Sequence, residues 1–333
     1  MPVRSCLLLA LLLPCLAQAN DSVAGVSAGG IVLRKTDALA MKKEVLSISQ
    51  TLIEVDYEFL NETNVDVSES VAFPLPLYPA VSNDYVDSYY GQPKGFVLAV
   101  DGKPVAYSTR IDAMIDGRNV TEALRQAGLS DQQIAYNPTF YQTPVRPLTK
   151  EQNTLLAKLG LAGEHGKPGA PLWSVQVNYV WQQSFPAGKI VKVHHAYRPF
   201  NDGGFSEVML PPDFAKDYCA DQEFVHAWER TVKKKKLEFL TAETVGYILK
   251  SGNNWKNGIE DFTLKLIKPN PGELVSLCFP GKFTKVNPTT YEVHLSNFHP
   301  KQDLKIYFSN FDRANVELDR QGIMPTIKPS QEK

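Results

Sequence analysis

The feature that most constrains this chain is a strict alternation of apolar and acidic residues between positions 53 and 59. The order there is Ile53, Glu54, Val55, Asp56, Tyr57, Glu58 and Phe59. Successive side chains of an extended strand point to opposite faces, so this segment has one apolar face and one acidic face. It therefore predicts a β-strand that covers a core on one side and meets solvent on the other.

Strand patterns of this kind recur along the chain. Residues 96–100 and 105–111 flank Asp101-Gly102, a pair that tolerates positive φ and predicts a hairpin turn. A second hairpin is predicted from residues 173–181 and 190–197. Further strands are predicted at residues 31–36, 39–48, 52–60, 65–73, 245–249, 262–267, 274–279, 291–295 and 304–308. Short strands separated by turns predict a mostly β (α+β) fold of antiparallel β-sandwich domains.

Two stretches have helical character instead. Within residues 116–171, three segments begin at cap-like polar residues and two of them end at glycine, which predicts a short helical insertion followed by a linker. These segments are residues 121–126, 130–133 and 149–159. In the C-terminal half, apolar residues recur on one helix face near residues 215–235 and predict one longer helix.

The first residues predict export. Arg4 precedes an apolar run over residues 6–16, and Ala17-Gln18-Ala19 supplies the small residues that a signal peptidase requires, so cleavage is predicted before Asn20. The run is about half of the roughly 20 residues that cross a bilayer, and no later segment has the pattern of a membrane span. We therefore expect a periplasmic or extracellular mature protein with no transmembrane segment.

These patterns divide the chain into five parts. Residues 1–19 are the predicted signal peptide, 20–115 an N-terminal β-sandwich portion, 116–171 the helical insertion and linker, 172–322 a C-terminal β-rich portion, and 323–333 a flexible tail.

The cysteines agree with an oxidising compartment. Cys6 and Cys15 lie in the predicted signal peptide, which leaves Cys219 and Cys278 in the mature chain. Two thiols in an exported protein predict one disulfide bond between them. A redox or metal pair is the alternative, but neither cysteine has CxxC spacing or a nearby histidine.

Charge and motifs narrow the classes of function. The chain has 35 Lys and Arg against 36 Asp and Glu, so its net charge of -1 gives no reason to expect a nucleic-acid partner. No GxSxG elbow or local Ser, His and Asp grouping is present. The sequence therefore assigns no catalytic residue, metal or cofactor, and it favours a non-enzymatic role while leaving an enzyme open.

Aromatic residues offer one candidate binding site. Tyr85, Tyr89 and Tyr90 lie close together in a predicted loop between two strands. Exposed tyrosines can stack on and hydrogen-bond to a glycan or a peptide, and they can equally anchor their own loop.

Histidines offer a second candidate. His194 and His195 are neighbours on a predicted strand, so their side chains are expected on opposite faces. We interpret His195 as a packed or hydrogen-bonded sheet histidine. If a metal were bound, Asp202 would be the expected oxygen ligand beside one of the histidines.

Short motifs along the mature chain resemble a known family. They are Asn20-Asp21-Ser22, Gly29-Gly30, Lys35-Thr36-Asp37, Phe73-Pro74-Leu75-Pro76, Phe185-Pro186-Ala187-Gly188, His195-Ala196-Tyr197, Asn254-Trp255 and Cys278-Phe279-Pro280-Gly281. In this order they resemble an uncharacterised exported bacterial family, domain of unknown function 4424. The resemblance implies export from a bacterial cell and supplies no catalytic residue. Residues 57–102 also resemble, more distantly, the inter-alpha-trypsin type of N-terminal β-sandwich.

The function that we favour from the sequence is a non-enzymatic binding or envelope-associated module. Its partner would be a glycan, an envelope polymer or a protein. Two alternatives stay open. One is a hydrolase that acts on an envelope or host polymer, with its site around His195 and residues 85–90, and the other is a secreted protein-protein interaction factor.

Overall fold

The computed structural model describes residues 21–27, 30–80, 96–135, 146–163, 170–199, 201–203 and 206–312. Tyr85, Tyr89, Tyr90, the predicted signal peptide and the predicted tail lie outside these ranges.

The strands are β1 Ser22–Ser27, β2 Gly30–Arg34, β3 Leu39–Ile48, β4 Ile53–Asn61, β5 Val67–Pro74, β6 Tyr78–Pro79, β7 Val97–Val100, β8 Lys103–Pro104, β9 Ser108–Ile115, β10 Arg118–Asn119, β11 Ala162–Gly163, β12 Ala170–Pro171, β13 Ser174–Phe185, β14 Ile190–Tyr197, β15 Asn201–Gly203, β16 Ser206–Glu207, β17 Phe239–Leu240, β18 Glu243–Tyr247, β19 Lys256–Ile267, β20 Val275–Leu277, β21 Thr284–Lys285, β22 Thr290–Phe298 and β23 Leu304–Phe308. The α-helices are α1 Thr121–Gln126, α2 Asp131–Ala135, α3 Lys150–Lys158, α4 Phe214–Tyr218 and α5 Gln222–Lys235. The predicted mostly β class is confirmed.

Two large sheets contain most of the strands. Sheet 1 has the order β10-β9-β13-β5-β1-β2 with β6 beside β13, and sheet 2 has the order β21-β22-β19-β3-β4-β14-β7-β8. Neighbours are antiparallel except for β3 and β19 of sheet 2, which pair in parallel. Strands from before and after residue 172 therefore lie side by side in both sheets.

The two large sheets pack face to face around an aromatic core. On β4, the apolar set found in the sequence is at most 1% exposed, while the acidic residues between point outward, as predicted. Aromatic rings of sheet 1 contact the buried side chains of sheet 2 directly. The ring centre of His195 on β14 lies 4.9 Å from that of Phe73 and 5.3 Å from that of Trp181. The burial of such large side chains is the main source of stability in a sandwich of this kind.

A four-stranded third sheet packs on the same core. Its order is β15-β18-β23-β20, and it buries Tyr247, Ile306 and Phe308 completely or nearly so. The Tyr247 hydroxyl lies 3.0 Å from the Tyr57 hydroxyl of sheet 2, so a hydrogen bond joins the two sheets in the interior. Two short ribbons, β11-β12 and β16-β17, complete the described strands.

The predicted short helices of residues 116–171 are present as α1, α2 and α3. Each buries a leucine or an isoleucine in the sandwich core, namely Leu124, Ile134 and Leu156. Before α3, the Thr149 side chain accepts a hydrogen bond from the Gln152 backbone in a capping box, the motif that fixes where this helix begins.

The predicted longer helix of the C-terminal half is present as α5, but it begins at Gln222 and not near residue 215. The structure has α4 and α5 there, separated at Cys219, which adopts the left-handed conformation with φ 51° and thereby ends α4. The Asp221 carboxylate then accepts a 2.7 Å hydrogen bond from the Phe224 backbone and starts α5. Helical periodicity alone does not reveal this interruption, because the apolar spacing continues across it.

The predicted disulfide bond between Cys219 and Cys278 is present. The two Cα atoms are 4.9 Å apart, and the residues are separated by 59 positions in the sequence. The bond connects the junction of α4 and α5 to the residue after β20, so it fastens the helices to the edge of the third sheet.

Candidate functional site

The two adjacent histidines point to opposite faces of sheet 2, as predicted. His195 is 0% exposed, and its Nε2 atom lies 2.9 Å from Oδ1 of the equally buried Asp21. His194 faces outward, with its Nδ1 atom 2.8 Å from Oδ1 of Asp56. Asp202 lies exposed on β15 of the third sheet, so the structure does not bring this carboxylate to the buried His195.

The His195–Asp21 pair belongs to a sealed interior. The Trp255 Nε1–H group donates a 2.6 Å hydrogen bond to the Asp21 backbone oxygen, and the Asn254 amide donates one of 2.8 Å to the Ser22 hydroxyl. Burial raises the pKa of the Asp21 carboxyl, and the pairing with His195 opposes that rise only in part. Because both members of the pair are shielded from solvent, we interpret the pair as a connection between β14 and the residue that precedes β1.

A pocket of about 400 Å³ opens on the outer face of the same sheet. Its lining residues come from β3, β4, β7, β14 and the turn after β7, and they are Lys43, Val45, Asp56, Tyr57, Glu58, Ala99, Gly102, Lys192, Val193 and His194. We call it the outer-face pocket.

Basic and acidic side chains face one another across the strands of the outer-face pocket. The register of β4 and β14 places Lys192 opposite Glu58 and His194 opposite Asp56. The Lys192 ammonium lies 3.4 Å from the Glu58 carboxylate. On the other side of β4, the strand register places Lys43 of β3 opposite Glu58. Solvent-exposed pairs of this kind contribute little to stability. Their donors and acceptors are therefore available to a ligand at small cost to the fold.

Sequence reasoning did not find the outer-face pocket. Its charged residues occupy outward positions of the predicted strands, so the alternation itself marks them as exposed. Their grouping depends on the pairing of β4 with β14, which are more than 120 residues apart, and a hydrophobic pattern does not specify which strands become neighbours.

A second buried acid lies at the end of the third sheet. Glu273 is 2% exposed, and its Oε1 atom accepts a 2.7 Å hydrogen bond from the Asn310 backbone. Burial raises the pKa of this carboxyl from 4.5 to about 7, although the hydrogen bonds from Asn310 and Ser309 lower it.

This raised pKa predicts a pH dependence of stability. The folded state holds the Glu273 proton more tightly than the unfolded state, so the cost of ionising Glu273 is absent below pH 4.5 and fully present above pH 7. Between about pH 5 and 8, wild type should lose about 2–3 kcal/mol of unfolding free energy relative to Glu273→Gln. Urea unfolding in a divalent-free buffer measures the difference. Glu238→Gln, at an exposed position, is the control, and identical pH profiles for wild type and Glu273→Gln would contradict the prediction.

The fold and the site together define a class: a disulfide-bonded, mostly β protein with a charged pocket on one sheet face. The chain belongs to the family described as domain of unknown function (DUF4424), whose model matches residues 19–307. The family resemblance drawn from the motifs is thereby confirmed. The weaker resemblance to the inter-alpha-trypsin β-sandwich stays a prediction.

Solved structures add distant likenesses. A Legionella pneumophila protein named as a candidate nutrient-binding protein is similar at 15% identity and a TM-score of 0.44, over 88% of this chain and 70% of that one. The M1 zinc metallopeptidase of Deinococcus radiodurans is similar at 7% identity and a TM-score of 0.29, over 83% of this chain and 43% of the peptidase. No curated protein matched the chain by sequence.

Within the described ranges, no helix combines the length and hydrophobicity that crossing a membrane requires. The same residues contain no group of three or more His, Cys, Asp or Glu side chains placed to hold a metal ion.

Proposed function

We propose that this protein is an exported, non-enzymatic binding module that recognises an acidic glycan of the cell envelope through the outer-face pocket. The observation that carries the proposal is the row of facing charges in that pocket. Lys192 and Lys43 offer ammonium donors to a carboxylate or phosphate group, and Asp56 and Glu58 offer acceptors to sugar hydroxyls. The volume of the outer-face pocket falls in the range of about 300–1,000 Å³ that is typical of small-ligand sites.

One structural feature supports the export part of this proposal. The Cys219–Cys278 bond suits an oxidising compartment, where such bonds persist.

Thermal unfolding with a glycan panel tests the proposal. Mature, oxidised protein is heated with acidic envelope glycans and with neutral glycans of equal length. A ligand that binds only the native state stabilises it by RT ln(1+[L]/Kd), about 2.7 kcal/mol at 100 times Kd. We expect an acidic glycan to raise the melting temperature and a neutral one to have much less effect.

Charge reversal in the pocket identifies the surface. Lys192→Glu should weaken binding of the acidic glycan about tenfold or more, since an attractive contact becomes a repulsive one. Lys282→Glu, which changes an exposed lysine outside the pocket, makes the same change in net charge and should leave binding unaltered. Equal losses in the two variants, or no shift with any glycan, would refute the assignment of this pocket.

A further inference from the structure

A cluster of amide and carboxylate groups lies where the turn between β3 and β4 meets the third sheet. Gln50 of this turn is 3% exposed, and its Nε2 atom lies 3.1 Å from Oε2 of Glu243 and 2.5 Å from Oδ1 of Asn310. The Asn201 Nδ2 atom lies 2.9 Å from the same Glu243 oxygen and 2.9 Å from the Gln50 backbone oxygen. We call these four residues the polar junction.

The polar junction contains buried oxygens that lack donors. Among the described residues, no hydrogen bond reaches Oε1 of Gln50, Oδ1 of Asn201 or the hydroxyl of the adjoining Thr241. Buried polar atoms are almost always satisfied in native proteins, so an orphaned group of this kind indicates a water or an ion. The Gln50 and Asn201 oxygens can only accept hydrogen bonds, and both belong to amides whose nitrogens contact the Glu243 carboxylate, so a cation would satisfy both oxygens.

A cation at this point requires the Gln50 and Asn201 amides to be reversed, because in the structure their nitrogens, and not their oxygens, face Glu243 Oε2. The oxygen and nitrogen of a carboxamide have the same shape, and their assignment follows from the surrounding contacts. If the Gln50 amide were turned over, its oxygen would lie 3.1 Å from Glu243 Oε2 and 2.5 Å from Asn310 Oδ1. Asn310 itself is oriented by a 2.8 Å hydrogen bond from its Nδ2 atom to the Thr241 backbone oxygen. Oxygens this close repel one another unless a cation lies among them.

We propose that the polar junction binds Ca²⁺. The ligands would be side-chain oxygens of Gln50, Asn201, Glu243 and Asn310, together with the Gln50 backbone oxygen, and water would complete the shell of 6–8 oxygens that Ca²⁺ takes. An all-oxygen donor set suits a hard cation and disfavours zinc, which takes nitrogen and sulfur. With one carboxylate the affinity is expected at about 0.1–1 mM, the range of extracellular modules.

Bound Ca²⁺ would join two parts of the fold. Gln50 belongs to the turn of the large sheet 2, whereas Asn201, Glu243 and Asn310 belong to or follow strands of the third sheet. The cation would thus fasten the third sheet to the sandwich. This proposal is independent of the outer-face pocket and of any glycan.

Calorimetric titration of chelator-treated wild type with CaCl₂ tests the proposal. We expect saturable binding and a melting temperature that rises with Ca²⁺, and weaker effects of equal MgCl₂ because Mg²⁺ demands a stricter geometry. Glu243→Gln should raise the Kd for Ca²⁺ at least tenfold, and Glu238→Gln, an exposed neighbour in sequence, should not change it. Absence of Ca²⁺ binding up to about 10 mM, or full binding by Glu243→Gln, would overturn the proposal.

A second variant separates cation binding from a structural role. Asn201→Asp keeps the side-chain shape and adds a carboxylate beside Glu243. We expect this variant to melt at a lower temperature than wild type without Ca²⁺, because the two carboxylates repel, and to bind Ca²⁺ several-fold more tightly. Destabilisation that Ca²⁺ does not reverse would show that water or packing alone maintains the junction.

Discussion

Replacing His195 with alanine is expected to lower the free energy of unfolding by about 3–5 kcal/mol, whereas the same change at His194 should cost less than about 1 kcal/mol. His195 is fully buried against Asp21, so its removal leaves an acid without its partner in the interior and opens a cavity among aromatic rings. His194 contacts Asp56 at the surface, where water replaces the lost contact.

Urea unfolding of the two alanine variants provides the measurement. A double replacement of His195 and Asp21 should cost less than the sum of the single changes, because the two residues interact directly. If His195→Ala unfolds like wild type but loses ligand binding or an activity, His195 acts in the functional site and its interpretation as a structural residue fails.

Removing the disulfide bond is the second change with a large expected effect. Cys219→Ser combined with Cys278→Ser should destabilise the oxidised protein by about 4 kcal/mol, since the bond closes a loop over 59 positions and restricts the unfolded chain. Reduction should bring wild type to the stability of the double variant and leave that variant unchanged. A double variant as stable as oxidised wild type would show that the helices are fastened without the bond.

Local patterns predicted much of the fold. The alternation along β4 indicated which side chains face the core, and Asp101-Gly102 marked the turn between β7 and β8. The start of α3 was also predictable from the sequence, because Thr149 and Gln152 have the spacing of a capping box. In each case the physical cause lies within a few residues of its effect.

Long-range pairing was not predictable in the same way. The parallel pairing of β3 with β19 joins strands about 200 residues apart, and one sequence gives no indication of which strands become neighbours. The pocket depends on such a pairing, and so does the polar junction, where Gln50 meets Asn310 across 260 positions. The residue types of these sites were therefore visible in the sequence, whereas their meeting in space was not.

The burial of β1 has a consequence for the order in which the molecule can assemble. Asp21 and Ser22 leave the ribosome early, but Trp255 and Asn254, which bind them, follow 234 and 232 residues later. The aromatic interior cannot close until those late residues arrive. A long nascent chain must therefore keep its apolar strands from aggregating in the meantime, and this topology favours a chaperone that holds the chain until the late residues have been synthesised.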